Sequence, residues 1–176
     1  MYLASPSERF EQSFMTLLSD FQENDPENAE FYSEAGVCFS HYVSTLDDHS
    51  KGINLPKFYV PCSHFWLITD EDEVAGVIRI RHRIDNEFLS LEAGHIGYDI
   101  APAYRGKGLG TLMLRLALKE ANKLGLDKVL ITADEDNIAS RKVIEANGGV
   151  FDKVIDGKVF QGPIARYWVS CKNLVS

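Results

Sequence analysis

The chain has 176 residues, of which 45% are hydrophobic and 25% charged, with a formal net charge of −8; this is ordinary usage for one compact domain, 1–176. The acid excess lacks the basic face of a nucleic-acid binder, no apolar run approaches the ~18 residues of a membrane span, and Met1 to Pro6 read as no signal peptide. The three cysteines (Cys38, Cys62, Cys171) are widely spaced and form no C-x-x-C pair, so no metal site or disulfide framework is expected, and free thiols suit a cytoplasmic protein.

Ser7 to Phe21 reads as a helix, with Phe10, Phe14, Leu17, Leu18 and Phe21 recurring at spacings of three and four. A second, less regular helix covers part of Glu27 to Asp47, and Lys51 to Pro61 reads as loop. Residues 1–50 hold ten acids against one base, Arg9, whereas the remainder holds 17 bases against 16 acids. Ser63 to Thr69 and Val74 to Ile84 read as a hairpin of strands. Arg79, Arg81 and Arg83 alternate with Ile78, Ile80, His82 and Ile84 and so share one face. That face either meets solvent or binds an acceptor or phosphate.

His95 to Ile100 is a short strand. It leads to Arg105-Gly106-Lys107-Gly108-Leu109-Gly110-Thr111, whose three alternate glycines precede an amphipathic helix over Leu109 to Leu124. A glycine-rich turn into a helix offers unpaired N–H groups and a partial positive charge, which is a seat for phosphate. Lys128 to Thr132 is an apolar strand that completes a strand-helix-strand unit. Asn137 precedes a helix over Ile138 to Ala146, and Val150 to Ile155 and Ile164 to Val169 close the chain as strands.

Two phosphate-loop patterns fail at the glycine turn. A P-loop needs Ser or Thr after the Lys, and Gly108 follows Lys107. A dinucleotide fingerprint needs a third glycine where Thr111 or Met113 stands, although Asp134 could mimic the ribose-binding acid. What remains is R-x-x-G-x-G, formed by Arg105, Gly108 and Gly110. With the strand His95-Ile96-Gly97-Tyr98-Asp99-Ile100 before it, Val129 to Thr132 after it, Asn137-Ile138-Ala139-Ser140, and Gly148-Gly149-Val150-Phe151, the chain resembles the GCN5-related N-acetyltransferase (GNAT) family, in its small bacterial-type form, over residues 64–169.

The resemblance implies a mixed α/β fold: a mostly antiparallel sheet containing one parallel, splayed strand pair, with flanking helices. It implies acetyl-CoA as cosubstrate. The pyrophosphate would sit on Arg105, Gly106, Lys107, Gly108, Leu109, Gly110 and Thr111. The pantetheine would lie along a bulged strand at Asp99 and Ile100, with Asn137 and Ser140 near it; Asn137 could equally be a plain helix cap. Arg141 and Lys142 could meet adenosine phosphates or be surface charge.

The implied reaction is acetyl transfer to a primary amine, only ~0.1% neutral near pH 7.4, so a base or a desolvating site is required. His95 is the first candidate base, with Glu92 and Asp99 as alternatives. The family's usual Tyr, seven residues after the Asn, is replaced by Ile144; Tyr98, Tyr104 and Tyr167 are substitutes for that acid. The missing phenol leaves open a CoA-binding sensor module without turnover. The acceptor is a small-molecule or peptide amine, and a wall formed by the acidic first 50 residues would favour a cationic one. Neither nucleic acid nor membrane is expected as a partner, and a homodimer is compatible with the family.

Overall fold

The computed structural model describes residues 1–172. The chain forms one seven-stranded sheet with helices on both faces. In chain order the elements are β1 (Tyr2–Ala4), α1 (Glu11–Asn24), α2 (Pro26–Ala29), α3 (Ser33–Val37), α4 (Phe39–Lys51), β2 (Cys62–Ile68), β3 (Val74–Arg81), β4 (Ile96–Ile100), α5 (Leu109–Lys123), β5 (Lys128–Asp134), α6 (Ile138–Ala146), β6 (Val150–Gly157) and β7 (Gly162–Ser170). The strand order is β1-β2-β3-β4-β5-β7-β6. Every neighbouring pair is antiparallel except β4 and β5.

The expected helix over Ser7 to Phe21 is a short 3-10 turn followed by α1. Ser7 caps the turn, its hydroxyl accepting the Arg9 N–H. The apolar stripe of α1 (Phe14, Leu17, Leu18, Phe21) is buried. The expected second helix is three helical pieces, α2 to α4. Pro26 opens α2, and Cys38 interrupts the path in extended conformation between α3 and α4. Together they roof one sheet face, where the Phe14 ring packs on Trp66, Tyr32, Phe39 and Tyr42 at centroid distances of 4.6 to 6.0 Å.

On the other face α5 buries Met113, Leu114, Ala117, Leu118 and Ala121 against Ile78, Ile80, Ile131 and Tyr167. Gly76 lets α5 sit close, since a Cβ there would meet the Met113 sulfur at 3.2 Å. Two elements lie outside the sequence expectation: β1, whose three residues are too short for a periodic signal, and a π-helical turn over Leu89–Ala93. No helix among the described residues is long and apolar enough to cross a membrane.

Candidate active site

The parallel strands β4 and β5 touch at one register pair, Ile96 with Ile131. The joint is tight. His95 N–H donates to the Leu130 carbonyl at 2.7 Å, and Leu130 N–H donates back to His95 Nδ1 at 2.9 Å. Gly94, with φ of 65°, makes that approach; a Cβ there would lie 2.5 Å from the Leu130 oxygen. Past the joint the strands diverge around a cleft of about 250 Å³ that reaches from Arg79 and Arg81 to Asn137 and Ser140.

Ladder alternation fixes what β4 offers to this cleft. Arg81 N–H donates to the His95 carbonyl and Ala101 N–H to the Ala75 carbonyl. In an antiparallel ladder, bonded pairs alternate. The backbone groups of Gly97 and Asp99 therefore face β3, and those of Tyr98 and Ile100 face the gap. The expected bulge is absent, because β3 and β4 stay in unbroken register from Gly76–Ile100 to Ile80–Ile96. By the same ladder the Asp99 backbone turns to β3 and that of Tyr98 to the open edge, and Asp99 presents its side chain to the cleft.

The Tyr98 side chain crosses to α6, donating to the Ser140 carbonyl at 3.2 Å and sharing a 2.8 Å bond with Ser140 Oγ. Burial pushes its phenol up to about 12 despite the lowering effect of Ser140, with Asp99 adding to the rise. Asn137 Oδ1 accepts the Ser140 N–H at 3.0 Å. Asn137 is thus the cap of α6, and it also lines the cleft.

The glycine turn follows β4 in the chain and opens α5. Gly106 and Gly108 both have positive φ, 74° and 75°. Gly108 is the N-cap of α5, with no side-chain cap. The first helical bond runs from Leu112 N–H to the Gly108 carbonyl. Leu109, Gly110 and Thr111 consequently present N–H groups with no intrahelical acceptor. A Cβ on Gly106 or Gly108 would meet nothing within 4 Å, so the space over the turn is open.

Two of the N-terminal acids hold this turn from outside. Asp20 accepts the Ala103 N–H at 2.8 Å, and Asp25 pairs with Arg105, whose Nε donates to the Ile100 carbonyl at 2.9 Å. Lys107 Nζ donates to the Ala103 carbonyl. None of the ten acids of residues 1–50 is among the residues that line the cleft.

On the face roofed by α1 to α4 the cleft floor carries Arg79, Arg81 and Asp99. Asp99 Oδ2 accepts both the Tyr32 hydroxyl at 2.6 Å and Arg79 Nη1 at 3.2 Å. Among the described residues nothing bonds to Asp99 Oδ1. Burial drives the Tyr32 phenol well above its ordinary value, and the Asp99 carboxylate drives it higher, so it stays a donor. Burial alone would lower Arg79; Tyr32 and Asp99 outweigh it and keep the guanidinium charged. Gly97 leaves room for the Arg79 side chain, since a Cβ there would approach Nε to 2.9 Å. The reading of the arginine stripe as a solvent face is thus corrected for Arg79 and Arg81. Arg83, beyond β3, is exposed and pairs with Asp85. Sequence reasoning missed Tyr32 altogether, because nothing local to it signals a partner 67 residues away.

His95 and Glu92 are differently occupied from what their residue types suggested. His95 is buried with Nδ1 accepting from Leu130, and burial, with Arg81 adding to it, pulls its imidazole down to about 4. Glu92 is 4% exposed. Its Oε1 accepts the Lys158 N–H, and its Oε2 accepts those of Val159 and Phe160, at 2.9 to 3.0 Å. Desolvation would raise its carboxyl, but these three bonds outweigh it and lower it. Glu92 is accordingly the anchor of the β6–β7 turn. We expect Glu92→Gln to lower thermal stability. The depressed carboxyl contributes stability that is fully present above the ordinary value of 4.5 and is lost as pH falls further. The melting temperatures of wild type and variant should therefore converge in acid; a gap that widened there would contradict the assignment.

The remaining candidates lie elsewhere. Tyr104 donates to Glu73 outside the cleft. Tyr167 donates to Glu145 and accepts from Arg141 Nε, both at 2.8 Å, on the α6 side. Arg141 also donates to the Glu135 carbonyl, and Ile144 is fully buried in the core. Among the described residues no group of three or more His, Cys, Asp or Glu is placed to hold a metal ion.

Comparison with known proteins agrees with this geometry. The family model described as "Acetyltransferase (GNAT) domain" matches residues 16–150. No curated protein matches the sequence. Among solved structures, Mycobacterium smegmatis RimJ in complex with CoA-disulfide superimposes with a TM-score of 0.72 at 15% identity, covering 99% of this chain and 83% of that one. The Salmonella typhimurium acetyl transferase that modifies the N-terminal serine of ribosomal protein L7/L12 gives 0.64 at 15% identity, over 96% and 93%. A chimera of the spermidine N-acetyltransferase SpeG from Vibrio cholerae gives 0.64 at 15% identity, over 98% and 96%. At such identities the likeness is one of fold.

Proposed function

The chain belongs to the GNAT acetyltransferase family and is an acetyl-CoA-dependent N-acetyltransferase, and on that premise we propose that the splayed cleft joins acetyl-CoA and a primary amine in one ternary complex for direct transfer. The observation that carries this reading is the juxtaposition along β4 of an open anion seat, a strand edge that β5 leaves open past Ile96, and a carboxylate with one oxygen unbonded among the described residues.

The residues present fit the cosubstrate. The N–H groups of Leu109, Gly110 and Thr111 suit a pyrophosphate, with Gly106, Lys107 and Gly108 shaping the turn and Arg105 fixing it to β4. The gap-facing backbone of Tyr98 and the N–H of Ile100, whose carbonyl is taken by Arg105, suit a peptide-like pantetheine arm, which would add to the strand edge; Asn137 and Ser140 border the same gap. Bound acetyl-CoA supplies an activated acyl group and a good leaving thiolate.

Asp99 Oδ1 holds the incoming ammonium and takes the proton that must leave before attack, while Tyr32 and Arg79 fix the carboxylate through Oδ2. Backbone N–H groups at the open β4 edge are the donors nearest the acyl oxygen. The Tyr98 phenol, still protonated at neutral pH, gives its proton to the departing thiolate and takes back the second proton of the attacking nitrogen as the tetrahedral intermediate collapses. Asp99 then returns its proton to solvent, which balances one amine proton to the thiol and one to water. A cytosolic setting suits the three unpaired cysteines.

In this scheme His95 is a joint, not a base. His95→Ala is expected to leave the pH profile of kcat/KM unchanged while lowering thermal stability. Loss of the acidic limb of that profile would return the base role to His95. The proposal as a whole is tested by following thiol release from acetyl-CoA over a panel of primary amines. Release above the hydrolytic background with at least one amine, and recovery of its N-acetyl product, is the expected result. Tight acetyl-CoA binding with no release across the panel would contradict it.

A further inference from the structure

Resting on the acetyl-transfer reading, we infer that the acceptor amine carries an anionic group, a carboxylate or phosphate ester, that Arg81 receives on the cleft floor. Arg79 and Arg81 stand two residues apart on the same face of β3. They differ in their partners. Arg79 has the Asp99 carboxylate at 3.2 Å. Arg81 has no carboxylate within 4.0 Å among the described residues, and its bonds all leave from Nη1, to the Ala93 and Gly94 carbonyls at 3.3 and 3.1 Å. Its Nε and Nη2 have no acceptor among those residues.

Desolvation lowers the Arg81 guanidinium from its ordinary value; Cys62 and Tyr59 oppose that, while the charge of Arg79 adds to it. A half-buried cation without a counter-ion is unfavourable, and a planar guanidinium fork matches carboxylate and phosphate oxygens in pairs. The carboxylates of the cleft do not serve it. Glu92 is held by three backbone N–H groups, and Asp99 is shared by Tyr32 and Arg79. Asp134 stands at the end of β5 beside Asn137, on the cofactor side.

A diamine would place its first ammonium on Asp99 and its second against Arg81. An ω-amino anion satisfies both. Arg81 is in register with His95, and Asp99 with Val77. Four residues of strand, ~13 Å, separate the two backbones, so the amine and the anionic group sit at opposite ends of a spacer chain.

The test uses acceptors of matched length: an ω-amino carboxylate, an ω-aminoalkyl phosphate, the amide of the first, and a diamine. Wild type is expected to favour at least one anion over both amide and diamine by about tenfold or more in kcat/KM, as one charge-assisted pair allows. The better of the two anions identifies the acceptor's group. Arg81→Gln should lower that preference ratio by a similar factor and Arg81→Lys should keep part of it, with acetyl-CoA binding retained as the check on folding. Equal or better use of the amide or diamine by wild type overturns the inference alone, whether or not the variants fold. So does an unchanged ratio in a folded Arg81→Gln. No turnover with any amine overturns the acetyl-transfer reading and this inference with it.

Discussion

Asp99→Asn is expected to lower kcat/KM for any acceptor by about 100-fold or more, the range of a lost general base, with the acetyl-CoA dissociation constant unchanged. The asymmetry follows from the position of the side chain. Asp99 lies on the face roofed by α1 to α4, where Oδ2 is fixed by Tyr32 and Arg79, whereas the gap that suits the cosubstrate is bordered by the backbone of Tyr98 and Ile100. Asparagine keeps the shape and can still accept from Tyr32, but it can neither take a proton nor balance the charge of Arg79. Tyr32→Phe should give a smaller loss in kcat, because the carboxylate survives and only its orientation loosens. If Asp99→Asn instead weakened acetyl-CoA binding and left turnover of bound cosubstrate intact, Asp99 would belong to the cofactor seat and the base would have to be sought elsewhere.

Gly108→Val should show the opposite pattern. Its acetyl-CoA dissociation constant is expected to rise at least about tenfold, or ~1.4 kcal/mol, with the fold intact. Two causes act together. The φ of 75° is costly for a β-branched residue, by ~1–2 kcal/mol, and the side chain would stand in the open space over the turn. Gly108→Asn separates them, since Asn tolerates this backbone region. A raised constant in both variants points to occlusion of the pyrophosphate seat. Wild-type affinity in Gly108→Val would contradict that seat, measured by calorimetric titration.

The parts of this protein that could be read from sequence are those whose signals are local. Three glycines between a strand and an amphipathic stripe announce the turn at Arg105 to Thr111, and Asn137 announces the start of α6; both stand where the pattern put them. The mixed sheet with its splayed parallel pair followed from the family resemblance and is present. What sequence obscured depends on long-range placement. The alternation of Arg79 and Arg81 with isoleucines suggests a wet face, but the three helical pieces α2 to α4 roof it. His95 has the residue type of a base, yet its Nδ1 closes the β4–β5 joint. Glu92 is an acid near the cleft, yet it is committed to three N–H groups contributed 66 to 68 residues later. The acidity of residues 1–50 suggests an electrostatic wall, while Asp20 and Asp25 brace the glycine turn from outside. In each case residue type suggested one chemistry, whereas the hydrogen-bond partners were set by the fold.

The central claim is that amine and acetyl-CoA meet together in the cleft and that the acetyl group passes directly between them. Initial rates measured with both substrates varied test it most directly, using the best amine from the release panel. Double-reciprocal lines that intersect, with no acetyl group left on the protein after incubation with acetyl-CoA alone, are the predicted result. Parallel lines accompanied by an acetylated protein side chain would contradict it.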